Sequence, residues 1–294
     1  MAEVLSKGNL FDPVLVKDLI SKVKGKSSLA VLSAQTPIPF NGRKEFTFTM
    51  DSEIDVVAEN GKKTHGGITL DPVTIVPIKV EYGARISDEF LYASEEEQLD
   101  ILKAFNDGFA KKLASGLDLM AFHGINPRTG EASAVIGGNN FDDKVTKTVV
   151  YDAATPDAKI EEAISKIEDS DGDVSGMAIA PAVRSDLAKM TKQSGEKLYP
   201  EFAFGGKPSS LGAHALDINK TVAHGNVDKA IVGDFASMFK WGYAKEVPME
   251  IIKYGDPDNS GKDLKGYNQV YIRAEAYLGW GILDGNSFAR VTNE

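Results

Sequence analysis

Residues 94–124, SEEEQLDILKAFNDGFAKKLASGLDLMAFHG, decide how the rest of the chain is read. Ser94-Glu95-Glu96-Glu97 is a capping box: the serine oxygen accepts an amide hydrogen bond while Glu97 reaches back to the first turn. The three acids also lie at the positive end of the helix dipole. Leu99, Leu102, Phe105, Phe109, Leu113, Leu117 and Met120 follow at spacings of three and four, which makes one apolar stripe on one helix. Run to His123, that helix is roughly 40 Å long. Gly108, Gly116 and Gly124 recur on a nearby face and are expected to admit another backbone. A helix this long with a single apolar stripe suits a thin, extended molecule better than a globule.

A second long element answers the first. In YNQVYIRAEAYLGWGILD, residues 267–284, the positions Val270, Ile272, Ala274, Ala276, Leu278, Trp280 and Ile282 share one parity. That alternation predicts a strand of roughly 40 Å.

Upstream of the helix, residues 36–86 read as an extended excursion. Phe46, Phe48 and Met50 alternate with Thr47 and Thr49, and Ile54 to Ala58 is expected to continue the strand. Asn60-Gly61 marks the turn, and Ile68–Leu70 with Val73–Val80 returns, interrupted by Pro72 and Pro77. Two strands alone bury little, so the excursion needs another surface to lie on. Residues 1–35 read as an arm: a short helical pattern through Val14, Leu15, Leu19, Ile20 and Val23, then coil.

Downstream the pattern is mixed α/β. Thr155-Pro156-Asp157 opens a helix whose buried face is Ile160, Ala163, Ile164 and Ile167, and a strand at Met177–Ala180 leads to a second helix from Pro181. Residues 191–215 look like a mobile or interface loop, and strands are expected at Ala230–Asp234, Met238–Trp241 and Val247–Ile252.

Composition narrows the partners. The 294 residues carry 33 Lys plus Arg against 43 Asp plus Glu, a net charge of −10, which disfavours a sequence-reading nucleic-acid module. Residues 1–35 run the other way at +2, through Lys7, Lys17, Lys22, Lys24 and Lys26 against Glu3, Asp12 and Asp18. This is a solvated face or a basic arm meeting a polyanion or an acidic neighbour. The chain has no cysteine, so disulfides, thiolate metal sites and cysteine nucleophiles are excluded. The uncharged run Ser27–Gly42 is too short and polar to cross a bilayer, and no signal peptide is visible. A soluble, cytoplasmically made chain is expected.

No catalytic, cofactor or metal constellation stands out. His65, His123, His214 and His224 fall in no zinc motif. Gly172-Asp173-Val174-Ser175-Gly176 sets its serine one place too late for a nucleophile elbow. Gly25-Lys26-Ser27 lacks the leading glycine of a phosphate loop, and Gly279-Trp280-Gly281 lies inside a strand pattern. Asp256-Pro257-Asp258-Asn259-Ser260-Gly261 opens like a calcium loop but has Tyr267 where the bidentate glutamate belongs. It reads as a polar turn, as do Asp169, Asp171 and Asp173. The chain is expected to be neither an enzyme nor a cofactor binder.

The order of pieces, together with three stretches, carries a resemblance. Val57-Ala58-Glu59-Asn60-Gly61-Lys62-Lys63, the run from Val80 through Ser87-Asp88-Glu89-Phe90-Leu91, and Tyr267 to Asp284 followed by Phe288-Ala289-Arg290-Val291 resemble the major capsid proteins of tailed bacteriophages, the Hong Kong 97 fold, over nearly the whole chain. The resemblance implies an α+β fold with an N-terminal arm (1–35), an extended E-loop hairpin (36–86) and a long spine helix with P-domain sheet (87–154). A mixed α/β A-domain (155–265) and a closing strand with C-terminal segment (266–294) complete it. It implies a shell subunit that self-assembles into pentamers and hexamers around double-stranded DNA, bound without sequence specificity, in a virion built in the host cytoplasm. Only about 35 residues precede the excursion, so a separate scaffolding protein, or none, is implied, with a portal as further partner and no membrane. Candidate inter-subunit contacts are Glu59, Lys62 and Lys63 at the E-loop tip and Lys22, Lys24 and Lys26 in the arm. One branch of the family cross-links an E-loop lysine to an asparagine. Lys62, Lys63 and Asn286 supply those residue types, but Asn286 is first a turn residue and no glutamate aligns, so a non-covalent shell is expected. An encapsulin-like cellular compartment and a soluble α/β hydrolase are the alternatives. Nothing in the N-terminal region matches the cargo-docking region of the former.

Overall fold

The computed structural model describes residues 26–50, 52–245 and 249–293, a mixed α+β fold. Helices α1 (Ser28–Leu32), α2 (Glu95–His123), α3 (Phe141–Lys144), α4 (Pro156–Glu168), α5 (Pro181–Lys189) and α6 (Phe235–Met238) accompany twelve strands. These are β1 (Arg43–Met50), β2 (Ile68–Ile75), β3 (Ile78–Ser87), β4 (Thr148–Val150), β5 (Gly176–Ile179), β6 (Ser210–Leu211), β7 (His214–Ile218), β8 (Asp228–Gly233), β9 (Phe239–Lys245), β10 (Met249–Ile252), β11 (Gln269–Ile282) and β12 (Phe288–Thr292).

The long helix begins where expected. Ser94 is its N-cap and accepts from the Glu97 amide, and 29 residues span about 44 Å. Its stripe packs on β11, whose burial alternates from Val270 to Leu278 as the parity predicts and is then continuous to Ile282. Phe109, Leu113 and Leu117 meet Ala274, Ala276, Leu278, Trp280 and Trp241 in the main core. At the other end of the helix, Leu102 joins Phe90, Val270 and Ile272 in a smaller cluster. Strand β11 pairs antiparallel with β3 on one edge and with β9 and β10 on the other.

The second body is a six-stranded sheet, ordered β4-β12-β8-β5-β7-β6. Helix α4 sends Ile160, Ala163, Ile164 and Ile167 onto it, and α5 adds Val183 and Leu187. Strand β12, read from sequence only as a short final segment, lies inside this sheet between β4 and β8.

Several expectations are corrected. Ile54 to Ala58 does not extend β1: no strand lies opposite to receive its amides, and the stretch is exposed. The coil expected after the arm helix contains α1, capped by Ser27 and buried through Leu29, Ala30 and Leu32. The helical pattern at 14–23 lies outside the described residues. The glycine series does not line a backbone contact: open space surrounds Gly108, Gly116 nears only the Pro127 side chain among other elements, and Gly124 ends the helix in the left-handed conformation. The 191–215 loop contains a helical turn, Pro200–Gly205, anchored by buried Phe202, and then β6 and the start of β7.

Candidate assembly surfaces

Register builds the first candidate surface. Pairing β1 with β2 sets Phe46 opposite Pro72, Phe48 opposite Leu70 and Met50 opposite Ile68, so one face of the hairpin is apolar beyond the Lys44–Thr74 pair at its base. Because directly paired residues point the same way, the ribbon presents this face as a unit. It is uncovered: Phe46, Met50, Ile68 and Leu70 are each 57–69% exposed. Beyond the strands, residues 52–67 are exposed without interruption, with Ile54 and Val56 at 94%. Glu59, Lys62 and Lys63 lie in this stretch, at and beside a turn closed by the Gly61 amide on the Ala58 carbonyl.

The hairpin joins the body at one buried point. Ile75 is 1% exposed and packs against Gly279 and Gly281 of β11, where an added Cβ on Gly281 would approach Ile75 Cγ1 to 2.7 Å. Trp280 between them is buried among the core side chains, with its indole donating to the Asn139 carbonyl. The Gly-Trp-Gly run that fails as a nucleotide fingerprint is thus a docking notch for the hairpin base.

Of the arm lysines, Lys26 is exposed, and Lys22 and Lys24 lie outside the described residues. Asn286 sits in a turn, its amide donating to Asp284 Oδ1 while its carbonyl accepts from Lys147 Nζ.

Two charged arrangements escaped the sequence reading. At the end of α2, His123 Nδ1 contacts Asp142 Oδ2 at 2.9 Å and Asp228 Oδ2 at 3.7 Å, while Nε2 meets the Thr221 carbonyl at 3.0 Å. Arg290 from β12 forms ion pairs with both carboxylates, at 2.8 Å to Asp142 and 3.0 Å to Asp228, and hydrogen-bonds the Asp228 carboxylate and the Asp142 main-chain carbonyl. Burial pushes Asp228 up to about 6 against the opposing pull of Arg290. Burial also opposes charge on His123, but Asp142 and the Thr221 carbonyl outweigh it and leave the ring raised. Asp142 is lowered because His123 and Arg290 overcome its own desolvation. The three donor atoms could hold a divalent ion by spacing. Arg290 already supplies the positive charge, so the cluster acts as a clamp between helix and sheet.

The second is the turn that opens like a calcium loop. The Arg85 guanidinium donates to Asp256, Asp258, the Lys262 carbonyl and Gln269. Its hydrogen bonds hold Asp258 well below the usual carboxylate range. Asp256 in turn accepts from Ser260 and Gly261. The loop is organised by the chain's own cation.

The phage capsid family model matches residues 7–293. The chain belongs to the phage capsid family. As a major capsid protein it is a structural subunit of a bacteriophage icosahedral shell, found in the virion and assembled with copies of itself. Among solved structures it is similar to a chain of Mycobacterium phage Ogopogo at 35% identity and TM-score 0.78, covering 91% of this chain and 92% of that one. A chain of Gordonia phage Cozz follows at 23% identity and TM-score 0.75, covering 91% and 86%. A capsid of a native GTA particle computed with C5 symmetry shares the fold at 16% identity and TM-score 0.64, covering 90% and 89%. No match is found among curated proteins. These similarities do not favour the compartment or hydrolase readings. No described helix is long and apolar enough to cross a membrane.

Proposed function

We propose that this capsid protein builds a Hong Kong 97-like head shell of pentamers and hexamers around double-stranded DNA. In that reading residues 36–86 are an E-loop reaching onto a neighbouring subunit, 87–154 carry the spine helix of the P-domain, 155–265 form the A-domain and 266–294 close the fold. The arm, residues 1–35, brings Lys22, Lys24 and Lys26 toward acidic neighbours or the packaged polyanion. Glu59, Lys62 and Lys63 are inter-subunit contacts at the E-loop tip. Its role is structural, not catalytic, and assembly takes place in the host cytoplasm with a separate scaffolding protein and a portal.

The observation that supports this reading best is the hairpin's uncovered apolar face, joined to its own body chiefly at Ile75. A two-stranded ribbon of this kind is marginal in water alone, and covering such a face with a second copy removes it from solvent. Deleting Asp55–Ile68 tests the idea. The variant subunit should keep its helix content by circular dichroism yet form no closed particles by negative-stain microscopy. Normal particles from the deletion variant would contradict the reading.

A further inference from the structure

Two asparagines in the chain precede glycine, Asn41-Gly42 and Asn60-Gly61, and the fold treats them differently. Asn60-Gly61 sits in the stretch 52–67, which carries no helix or strand and is exposed throughout. Its turn is closed by the Gly61 amide on the Ala58 carbonyl at 2.8 Å, and the Thr64 hydroxyl donates to Asp55 Oδ2 at 2.7 Å across it. Both bonds lie among exposed residues, so opening this turn breaks no ladder and uncovers no core. Asn41-Gly42 lies between two anchors. Ile38 is buried, and Arg43 begins the β1–β2 ladder opposite buried Ile75. Gly42 itself is held at φ +87° against the Ile75 carbonyl, where an added Cβ would lie 3.0 Å from the oxygen.

An asparagine side chain followed by a bare amide can close on its own backbone. The Gly61 nitrogen, giving its proton to solvent, attacks the Asn60 side-chain carbonyl carbon. The bond from that carbon to the carboxamide nitrogen breaks, and the nitrogen takes up a proton and leaves as ammonia. Residue 60 is then a cyclic succinimide. Water adds at either ring carbonyl carbon and opens the ring, to aspartate in one direction and isoaspartate in the other. Nothing is oxidised or reduced, and solvent water is the only co-reactant. Closing the ring takes the backbone out of its resting conformation, which glycine permits more freely than any other residue. A side chain in place of a Gly61 hydrogen would also crowd the attack.

We propose that Asn60 is a self-modifying site: in the unassembled subunit it converts to aspartate and isoaspartate, and burial of the tip between copies in the shell stops the conversion. The product sets a new carboxylate next to Glu59, in the turn that presents Lys62 and Lys63. In the isoaspartate form the main chain also gains a methylene, so the Ala58–Gly61 turn changes shape. Residue 60 thus records how long a subunit has stayed outside a shell. The site itself stands on the exposed turn alone. Its protection on assembly rests on the reading of the tip as an inter-subunit contact.

Full-length protein held as dissociated subunits and the same protein in assembled particles, incubated side by side at pH 8 and then peptide-mapped, test both halves. Only opened backbone can cyclise, and opening costs almost nothing in exposed loops but up to the global stability in packed ladders. Dissociated subunits should therefore convert Asn60 at least about ten-fold faster than Asn41. Aspartate and isoaspartate at residue 60 should accumulate in the dissociated subunits and stay near their starting level in the particles. Gly61→Ala should slow the conversion in dissociated subunits, and an unchanged rate would overturn the cyclisation route. An unconverted Asn60 in dissociated wild-type subunits, or equal rates at Asn41 and Asn60, would overturn the site whatever the variant does. Equal conversion in subunits and particles would overturn the protection and count against a contact at the tip, while leaving shell assembly itself untouched.

Discussion

Arg290 lies between two carboxylates that would otherwise repel each other inside the protein. Its guanidinium is mostly buried and Asp228 is almost wholly so, with side-chain exposures of 11% and 1%. Removing one partner of a buried pair leaves an uncompensated charge, and Arg290→Met should cost about 3–5 kcal/mol in chemical denaturation at pH 7.5. The pH dependence has a definite sign. Asp228 is raised, so the folded state takes up a proton as the pH falls through about 6 and gains stability down to its unfolded value of 3.8. His123 is raised too, so its contribution is full below 6.5 and fades as the pH climbs through its folded value. Asp142 is lowered, and its contribution is lost only under stronger acid. The loss in Arg290→Met should thus be smaller at pH 5.5 than at pH 7.5, because a protonated Asp228 needs no counter-charge. An equal loss at both values would mean that Arg290 acts through packing alone.

At the scale of elements, what was legible in the sequence follows from how each element is stabilised. The spine helix and β11 were readable because each is long and periodic and the helix is packed from Leu102 to Met120, so local pattern and tertiary contact agree there, although Leu99 at the head of the stripe is exposed. The hairpin was readable through Phe46 to Met50 and its returning strand. Its extension at Ile54 to Ala58 was misread, since β-branched residues suit a strand only when a partner backbone is present. Strand β4 is three residues long and β12 five, and both exist because β8 and one another receive their amides. Nothing local announces that. Helix α1 depends in the same way on Asp118, 90 positions from Ser28. The His123–Asp142–Asp228–Arg290 clamp draws on four elements, so no spacing motif could reveal it. The calcium-like turn was legible as a turn, but Arg85, which organises it, lies 173 positions from Asp258.

At the scale of the whole molecule, two bodies share the spine helix and the C-terminal strands, while the hairpin meets them chiefly through Ile75 at its base. Such a shape leaves apolar surface uncovered in the lone subunit, which is the condition for assembly and not a defect of folding. Lys62 and Lys63 are exposed at the tip, and Asn286 is an exposed turn residue. Amide formation by a lysine needs a desolvated amine, and both lysines are open to water in the lone subunit. Mature particles boiled in detergent should therefore run as one band near 31.7 kDa. A ladder of multimers that disappears in Lys62→Ala/Lys63→Ala would reverse that expectation.

The central claim is that the hairpin of residues 43–75 completes itself on another copy of the chain. A cryo-electron microscopy map of particles assembled from the full-length protein tests it most directly. The account predicts closed shells in which Phe46, Met50, Ile68 and Leu70 are covered by a neighbouring subunit. Particles in which that face remains open to solvent, or is folded back onto its own subunit, would contradict it.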